Sequence, residues 1–249
     1  MKMDRVIAVR SNKTVYRDGD STAKVFDSDF SKVAVLNEAL NLAKIETTGI
    51  KVPKLREVTT YEGKWTIVNE YIPGKSLSRL MKENPDKVDE YLERLVRLHI
   101  EMHQVECPML TNLTDKMQRK IRQTKLDATT RYELSTRLNG MERKAKVCHG
   151  DFCPSNVIIT PDDEAYIIDW AHATQGNPDA DVARTYLVFC LQGNFEWAEK
   201  YLKLMCDLGD TARQNVQRWL PILAASQSVK GISEQQELLA RWTSIAEYE

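Results

Sequence analysis

The apolar positions of this chain change period once. Through the first seventy residues they fall in short runs broken by tight turns, as strands do. Residues 5–10 form one run, Ser11-Asn12-Lys13 a turn, and residues 14–17 the returning strand. Asp18-Gly19-Asp20 turns again into a third strand at residues 22–26. Two more strands are predicted at residues 54–59 and 64–71, around Tyr61-Glu62-Gly63. Between these groups, residues 31–45 carry Val33, Leu36, Leu40 and Ala43 at helical spacing, and Gly49 then breaks the chain. Pro73-Gly74 closes the region. Beyond it the pattern is helical, with Val88, Tyr91, Leu92, Leu95, Leu98 and Met102 forming one stripe over residues 86–103. Further helices are predicted at residues 113–125, 128–138, 180–192, 195–207, 211–226 and 234–248.

One stretch breaks the helical half. Residues 157–160 and 165–168 read as strands around Pro161-Asp162-Asp163-Glu164, a tight turn. A hairpin returns to where it began, so Asn156 at its entry and Asp169 at its exit are expected side by side. Asp151 leads into the same point through a short loop. An amide oxygen and carboxylates gathered in this way suit Mg²⁺, which takes oxygen ligands together with substrate phosphates. A further carboxylate can accept a hydroxyl proton. The combination points to phosphoryl transfer onto an alcohol.

The order His149-Gly150-Asp151, four residues, Asn156, then a hairpin into Ile168-Asp169-Trp170 resembles the aminoglycoside phosphotransferase and choline kinase family, relatives of the protein kinases. The resemblance implies a two-lobe α+β fold. Residues 1–72 would form a nucleotide-binding lobe with a five-stranded antiparallel sheet and one helix, and residues 73–249 a larger, mainly helical lobe for catalysis and acceptor binding. It implies Asp151 as the general base and Asn156 and Asp169 as Mg²⁺ ligands. Lys24 and Glu38 take the places of the strand lysine and helix glutamate whose ion pair orients the α- and β-phosphates of ATP. The Glu70 carbonyl and Ile72 amide would meet the adenine edge, with Asn69 behind it. The chain departs from the kinase pattern at the phosphate loop, where no glycine-rich motif stands. There Ser11 and neighbouring amides are the candidate phosphate contacts, and Lys13 is either a phosphate partner or part of a solvated turn. Asp181 resembles the family's buried aspartate that secures the catalytic loop, and it could equally cap its helix.

Protein kinases carry an arginine where Gly150 stands, and no Ala-Pro-Glu follows Asp169 here. A small alcohol acceptor is therefore expected, whether aminoglycoside, choline, ethanolamine or a related alcohol. ATP is the expected donor, with GTP left open. An atypical protein kinase and an inactive nucleotide-binding module are the other classes considered. Trp170, Tyr186, Trp197, Trp219 and Trp242 are candidates for an acceptor wall, although tryptophans on helices mostly fill cores. His99 and His103 lie four apart, yet Glu101 stands out of register for a metalloprotease motif, and core or surface roles are expected.

Composition narrows the class. The 249 residues carry a formal charge of −1, with 29% charged and 42% hydrophobic residues. There is no basic excess for nucleic acid, no run long enough for a membrane span and no apolar leader, so a cytoplasmic protein is expected. Five scattered cysteines argue against a disulfide framework.

Overall fold

The computed structural model describes residues 3, 5–10 and 12–243. In chain order its strands are β1 (Arg5–Arg10), β2 (Lys13–Asp18), β3 (Ser21–Phe26), β4 (Leu55–Tyr61), β5 (Lys64–Glu70), β6 (Lys75–Ser76), β7 (Lys146–Cys148), β8 (Val157–Ile159), β9 (Ala165–Ile167) and β10 (Thr174–Gly176). The helices are α1 (Lys32–Glu46), α2 (Leu77–Glu83), α3 (Val88–Met102), α4 (Leu113–Gln123), α5 (Ala128–Asn139), α6 (Pro178–Leu191), α7 (Phe195–Leu208), α8 (Arg213–Ser228) and α9 (Ser233–Thr243). The end of the helix predicted at 234–248 lies outside the described residues, as does Ser11. The short strands β6, β7 and β10 and the helix α2 carry too few residues to show a period, and the sequence pattern did not mark them.

Two units divide the chain: Met1–Asn84 with Pro154–His172, and Pro85–Cys153 with Ala173–Glu249. The first is built on an antiparallel sheet of order β1-β2-β3-β5-β4. The hairpin assigned from sequence to residues 73–249 belongs to this unit. Its strand β8 pairs with β6, matching Lys75 with Ile159, and Ile167 N donates to Lys51 O at 2.9 Å. Gly74 makes this pairing possible, because a Cβ there would lie 2.3 Å from the carbonyl oxygen of Ile159.

Helix α1 lies on the sheet, with Val35 and Ala39 packed against Phe26 and Ile67. Its buried face runs through Val35, Glu38, Ala39, Leu42 and Ile45. The other apolar stripe is exposed, with Val33 at 76%, Leu36 at 43% and Leu40 at 52%. Two apolar faces compete on this helix. The sheet takes the one that also carries Glu38, since the lysine of β3 needs a carboxylate partner once buried.

In the second unit, Leu92 and Leu95 of α3, Leu187 of α6, Tyr201 of α7, and Val216 and Ile222 of α8 are fully buried. Helix α8 packs on α4, α6 and α9. Strands β7 and β10 form a two-stranded ladder pairing Cys148 with Thr174, and this ladder leads into the His149-Gly150-Asp151 loop.

Candidate active site

Within the first unit, α1 places Glu38 over β3, where its carboxylate pairs with Lys24 Nζ. Lys24 Nζ also donates to Asp169 Oδ1 at 3.3 Å, and Lys13 Nζ donates to Asp169 Oδ2 at 3.2 Å. A single carboxylate thus spans two ammonium groups. Burial alone would lower the Lys24 pKa, but the charges of Asp169 and Glu38 outweigh it and hold the amine above its ordinary value. Burial would likewise raise Asp169, yet Lys24 and Lys13 hold its carboxyl well below the usual range.

The ribbon places Asp169 where the sequence expected it. Val157 pairs with Ile167, and Ile168 N donates to Asn156 O at 2.9 Å. Asp169 itself has φ of 66°, a left-handed conformation that Asp and Asn tolerate better than most residues. Its successor is pinned on both sides. Trp170 Nε1 donates to Ile167 O at 3.1 Å, and Asn41 Nδ2 donates to Trp170 O at 3.2 Å. Trp170 is 1% exposed and Trp219 2%, so both are core residues rather than walls of an acceptor pocket. Trp197 meets the edge of Phe189, and Tyr186 donates to Glu199.

A cavity of about 450 Å³ opens in this unit. Arg10, Lys13 and Lys24 make it basic where Asn156 and Asp169 enter it, while Ile7, Val15, Pro53, Ile158 and Ile168 give apolar walls. Asn69, Glu70, Tyr71 and Ile72 line it as well. Glu70 N and Tyr71 N are engaged by Lys54 O and Asp20 O, and the buried Oδ1 of Asn69 has no hydrogen-bond partner. Glu38 acts on this space through Lys24.

In the second unit, Asp181 holds the loop that carries Asp151. Its Oδ2 accepts from His149 N and its Oδ1 from Gly150 N, both at 2.7 Å. The N-cap of α6 is Asn177, whose side chain accepts from Asp179 N, so Asp181 serves as a brace for the loop and not as a cap. Gly150 has φ of 77°, which a side chain would strain. Further ties run from Asp151 N to His149 Nδ1 at 3.2 Å and from Thr185 Oγ1 to Phe152 O at 2.8 Å.

His99 Nε2 and His103 Nε2 approach Asp181 Oδ2 at 3.1 and 3.3 Å, and His99 Nδ1 meets Tyr201 OH at 2.7 Å. The ligand atoms of the three residues lie within 4.8 Å of one another, but hydrogen bonds account for them without a metal. Burial, then the neighbouring His103, push His99 down to about 4 from 6.5. Being neutral in the fold and protonated when unfolded, His99 supports stability above pH 6.5 and loses that support as pH falls toward 4. Denaturant titrations at pH 7 and pH 4.5 are expected to show a loss of roughly 2 kcal/mol, at ~1.4 kcal/mol per pH unit below 6.5. His99→Gln should flatten that dependence, and an equally steep loss in the variant would exclude His99 as its source.

Arg184 is a member of this site that the sequence reading left without a role. Its Nε donates to Gly150 O at 3.2 Å and its Nη2 to Asp151 Oδ1 at 3.4 Å. The available signal was its place three residues after Asp181, one turn along the same helix face. Cys148 is buried with its thiol pKa raised, first by desolvation, which makes it a poor nucleophile.

A family profile described as "Phosphotransferase enzyme family" matches residues 5–219. The chain belongs to that family. No curated protein sequence matches it. Among solved structures, a choline/ethanolamine kinase family protein from Mesorhizobium loti is 15% identical, with a TM-score of 0.65 over 98% of this chain and 87% of its own. An aminoglycoside-3'-phosphotransferase of type VIII is 20% identical, with a TM-score of 0.65 over 90% and 92%. A thermostable mutant of aminoglycoside phosphotransferase APH(4)-Ia, in ternary complex with AMP-PNP and hygromycin B, is 14% identical, with a TM-score of 0.68 over 98% and 92%. This phosphotransferase therefore has the protein-kinase-like two-lobe α+β fold expected from its motifs. Among the described residues no helix is long and apolar enough to cross a membrane.

Proposed function

We propose that the protein transfers the γ-phosphoryl group of ATP, with Mg²⁺, to the hydroxyl of a small molecule. The observation that carries this reading is the Asp169 carboxylate, entering a basic-ended cavity between Lys13 and Lys24 on the same ribbon as Asn156. An oxygen-only pair suits Mg²⁺, and the cation would neutralise charge on the β- and γ-phosphates. Lys24, oriented by Glu38, and Lys13 attract the triphosphate. The apolar walls suit a purine, and the Asn69 carbonyl oxygen suits its amino group as a donor.

Asp151 serves as the general base. The acceptor oxygen forms a bond to the γ-phosphorus, the bond from that phosphorus to the β–γ bridging oxygen breaks with its electron pair leaving on ADP, and the hydroxyl proton passes to the Asp151 carboxylate. That the APH(4)-Ia mutant was solved in ternary complex with AMP-PNP and hygromycin B supports a reading in which one fold holds a nucleotide together with a small molecule. The test is acceptor-dependent ADP release from the purified protein with Mg²⁺, supplying ATP and GTP in parallel. Label transfer to polypeptide, or nucleotide binding with no turnover on any alcohol, would remove this reading.

A further inference from the structure

Lys13 opens β2 directly after a turn that contains no glycine, since the first glycine of the chain is Gly19. A turn made of residues with side chains approaches phosphates less closely than a glycine-rich loop, so attraction there has to come from a charged side chain. The structure excludes a solvated turn for Lys13. Its side chain is 15% exposed and lies against its cross-strand partner Phe26, with the ammonium 5.9 Å from the ring centroid. It ends 3.2 Å from Asp169 Oδ2.

The two lysines on this carboxylate are held differently. Lys24 has Glu38 as a second partner and keeps it when Asp169 is drawn elsewhere. Among the described residues Asp169 is the one carboxylate that pairs with Lys13, whose flexible four-carbon stem lets the ammonium swing. Other charges along the cavity are engaged. Lys75 and Arg79 meet Glu83 at 2.7 and 2.8 Å, and Glu70 accepts from Lys54 N at 3.2 Å. Arg10, paired with Lys13 across the turn, adds positive charge at the same end.

A divalent cation approaching Asp169 alone therefore meets Lys13 at Oδ2, Lys24 at Oδ1 and Arg10 nearby. Lys13 does not leave unaided, because a largely buried charge stripped of its partner is costly. A triphosphate resolves both conflicts, giving the ammonium other oxygens and releasing Oδ2.

Resting on the phosphoryl-transfer reading, we infer that Lys13 is an internal counter-ion that exchanges Asp169 for the outer phosphates of the nucleotide. Asp169 is thereby offered to the metal only in company with the triphosphate. One side chain then replaces the missing glycine-rich loop and couples metal to nucleotide. The coupling is reciprocal, each ligand raising the affinity of the other.

The test reads binding on the full chain, without turnover. Mn²⁺, a paramagnetic substitute for Mg²⁺, is titrated by electron paramagnetic resonance in the absence of nucleotide, and ATP and AMP are titrated by calorimetry in chelator. Lys13→Gln should bind Mn²⁺ about tenfold more tightly than the parent and ATP about tenfold more weakly, the scale of one charge-assisted hydrogen bond. Its affinity for AMP, which lacks the outer phosphates, should stay the same. Adding Asp169→Asn to Lys13→Gln should abolish the gained Mn²⁺ binding. Lys13→Arg keeps the charge and should stay near the parent for both ligands. Asp169→Asn alone gives an independent reading, because it leaves Lys13 already released, and ATP in chelator should bind several-fold more tightly than to the parent. Mn²⁺ or ATP affinity unmoved by Lys13→Gln overturns the exchange, as does ATP affinity unmoved by Asp169→Asn. Either result leaves phosphoryl transfer standing while the parent binds ATP and Mn²⁺ together. A parent that binds neither, even together, removes the phosphoryl-transfer reading and this inference with it.

Discussion

Asp169→Asn is expected to lower turnover by ~10³ or more, which corresponds to about 4 kcal/mol of transition-state stabilisation. Asparagine is the informative replacement because of the backbone. At φ of 66° alanine would add strain to the loss of charge, whereas asparagine accepts the left-handed conformation and keeps an oxygen in place. What disappears is the negative charge between Lys13 and Lys24. In the proposed role that charge holds the cation against the phosphates. Lys24 retains Glu38, so the lysine stays oriented and nucleotide still binds without metal. The check is ADP release across a Mg²⁺ titration, beside nucleotide affinity measured in chelator. Turnover within tenfold of the parent enzyme would remove Asp169 from the metal role.

Asp151→Asn should lower kcat by roughly 10²–10⁴, the usual contribution of a positioned general base, with ATP affinity unchanged. The amide keeps an oxygen for Arg184 Nη2, which sits 3.4 Å from Asp151 Oδ1. Alanine would leave a second donor of Arg184 unmatched and mix a stability effect into the rate. Single-turnover phosphoryl transfer with saturating ATP isolates the step. A rate within a few-fold of the parent would mean that the acceptor loses its proton elsewhere. The two variants fail differently: the first should respond to added Mg²⁺, the second should not.

Much of the nucleotide half was legible because it is local. Strand alternation and the Tyr61-Glu62-Gly63 turn predicted β4 and β5 to within two residues at each end, and Pro161-Asp162-Asp163-Glu164 predicted the ribbon β8–β9. A two-stranded ribbon has only one way to return, so Asn156 and Asp169 were bound to meet. The pairing of Lys24 with Glu38 came instead from the family resemblance, because either residue alone reads as a surface charge.

Other features were settled by contacts between distant segments. Helix α1 offers two apolar faces, and spacing alone favoured Val33, Leu36 and Leu40, which are exposed. Only packing on the sheet selects the face with Val35, Glu38 and Ala39. Likewise Asp181 reads equally as cap or brace until His149 N and Gly150 N are seen pointing at it. The sequence by itself determined the order of elements, the ribbon and the two oxygen-bearing side chains at its ends, since each depends on neighbours a few residues apart. The tertiary structure alone decided which helix face is buried and that Arg184 reaches Asp151. Asp151 sits on a loop and Arg184 on a helix 33 residues further along, and a contact at that separation leaves no period in the chain.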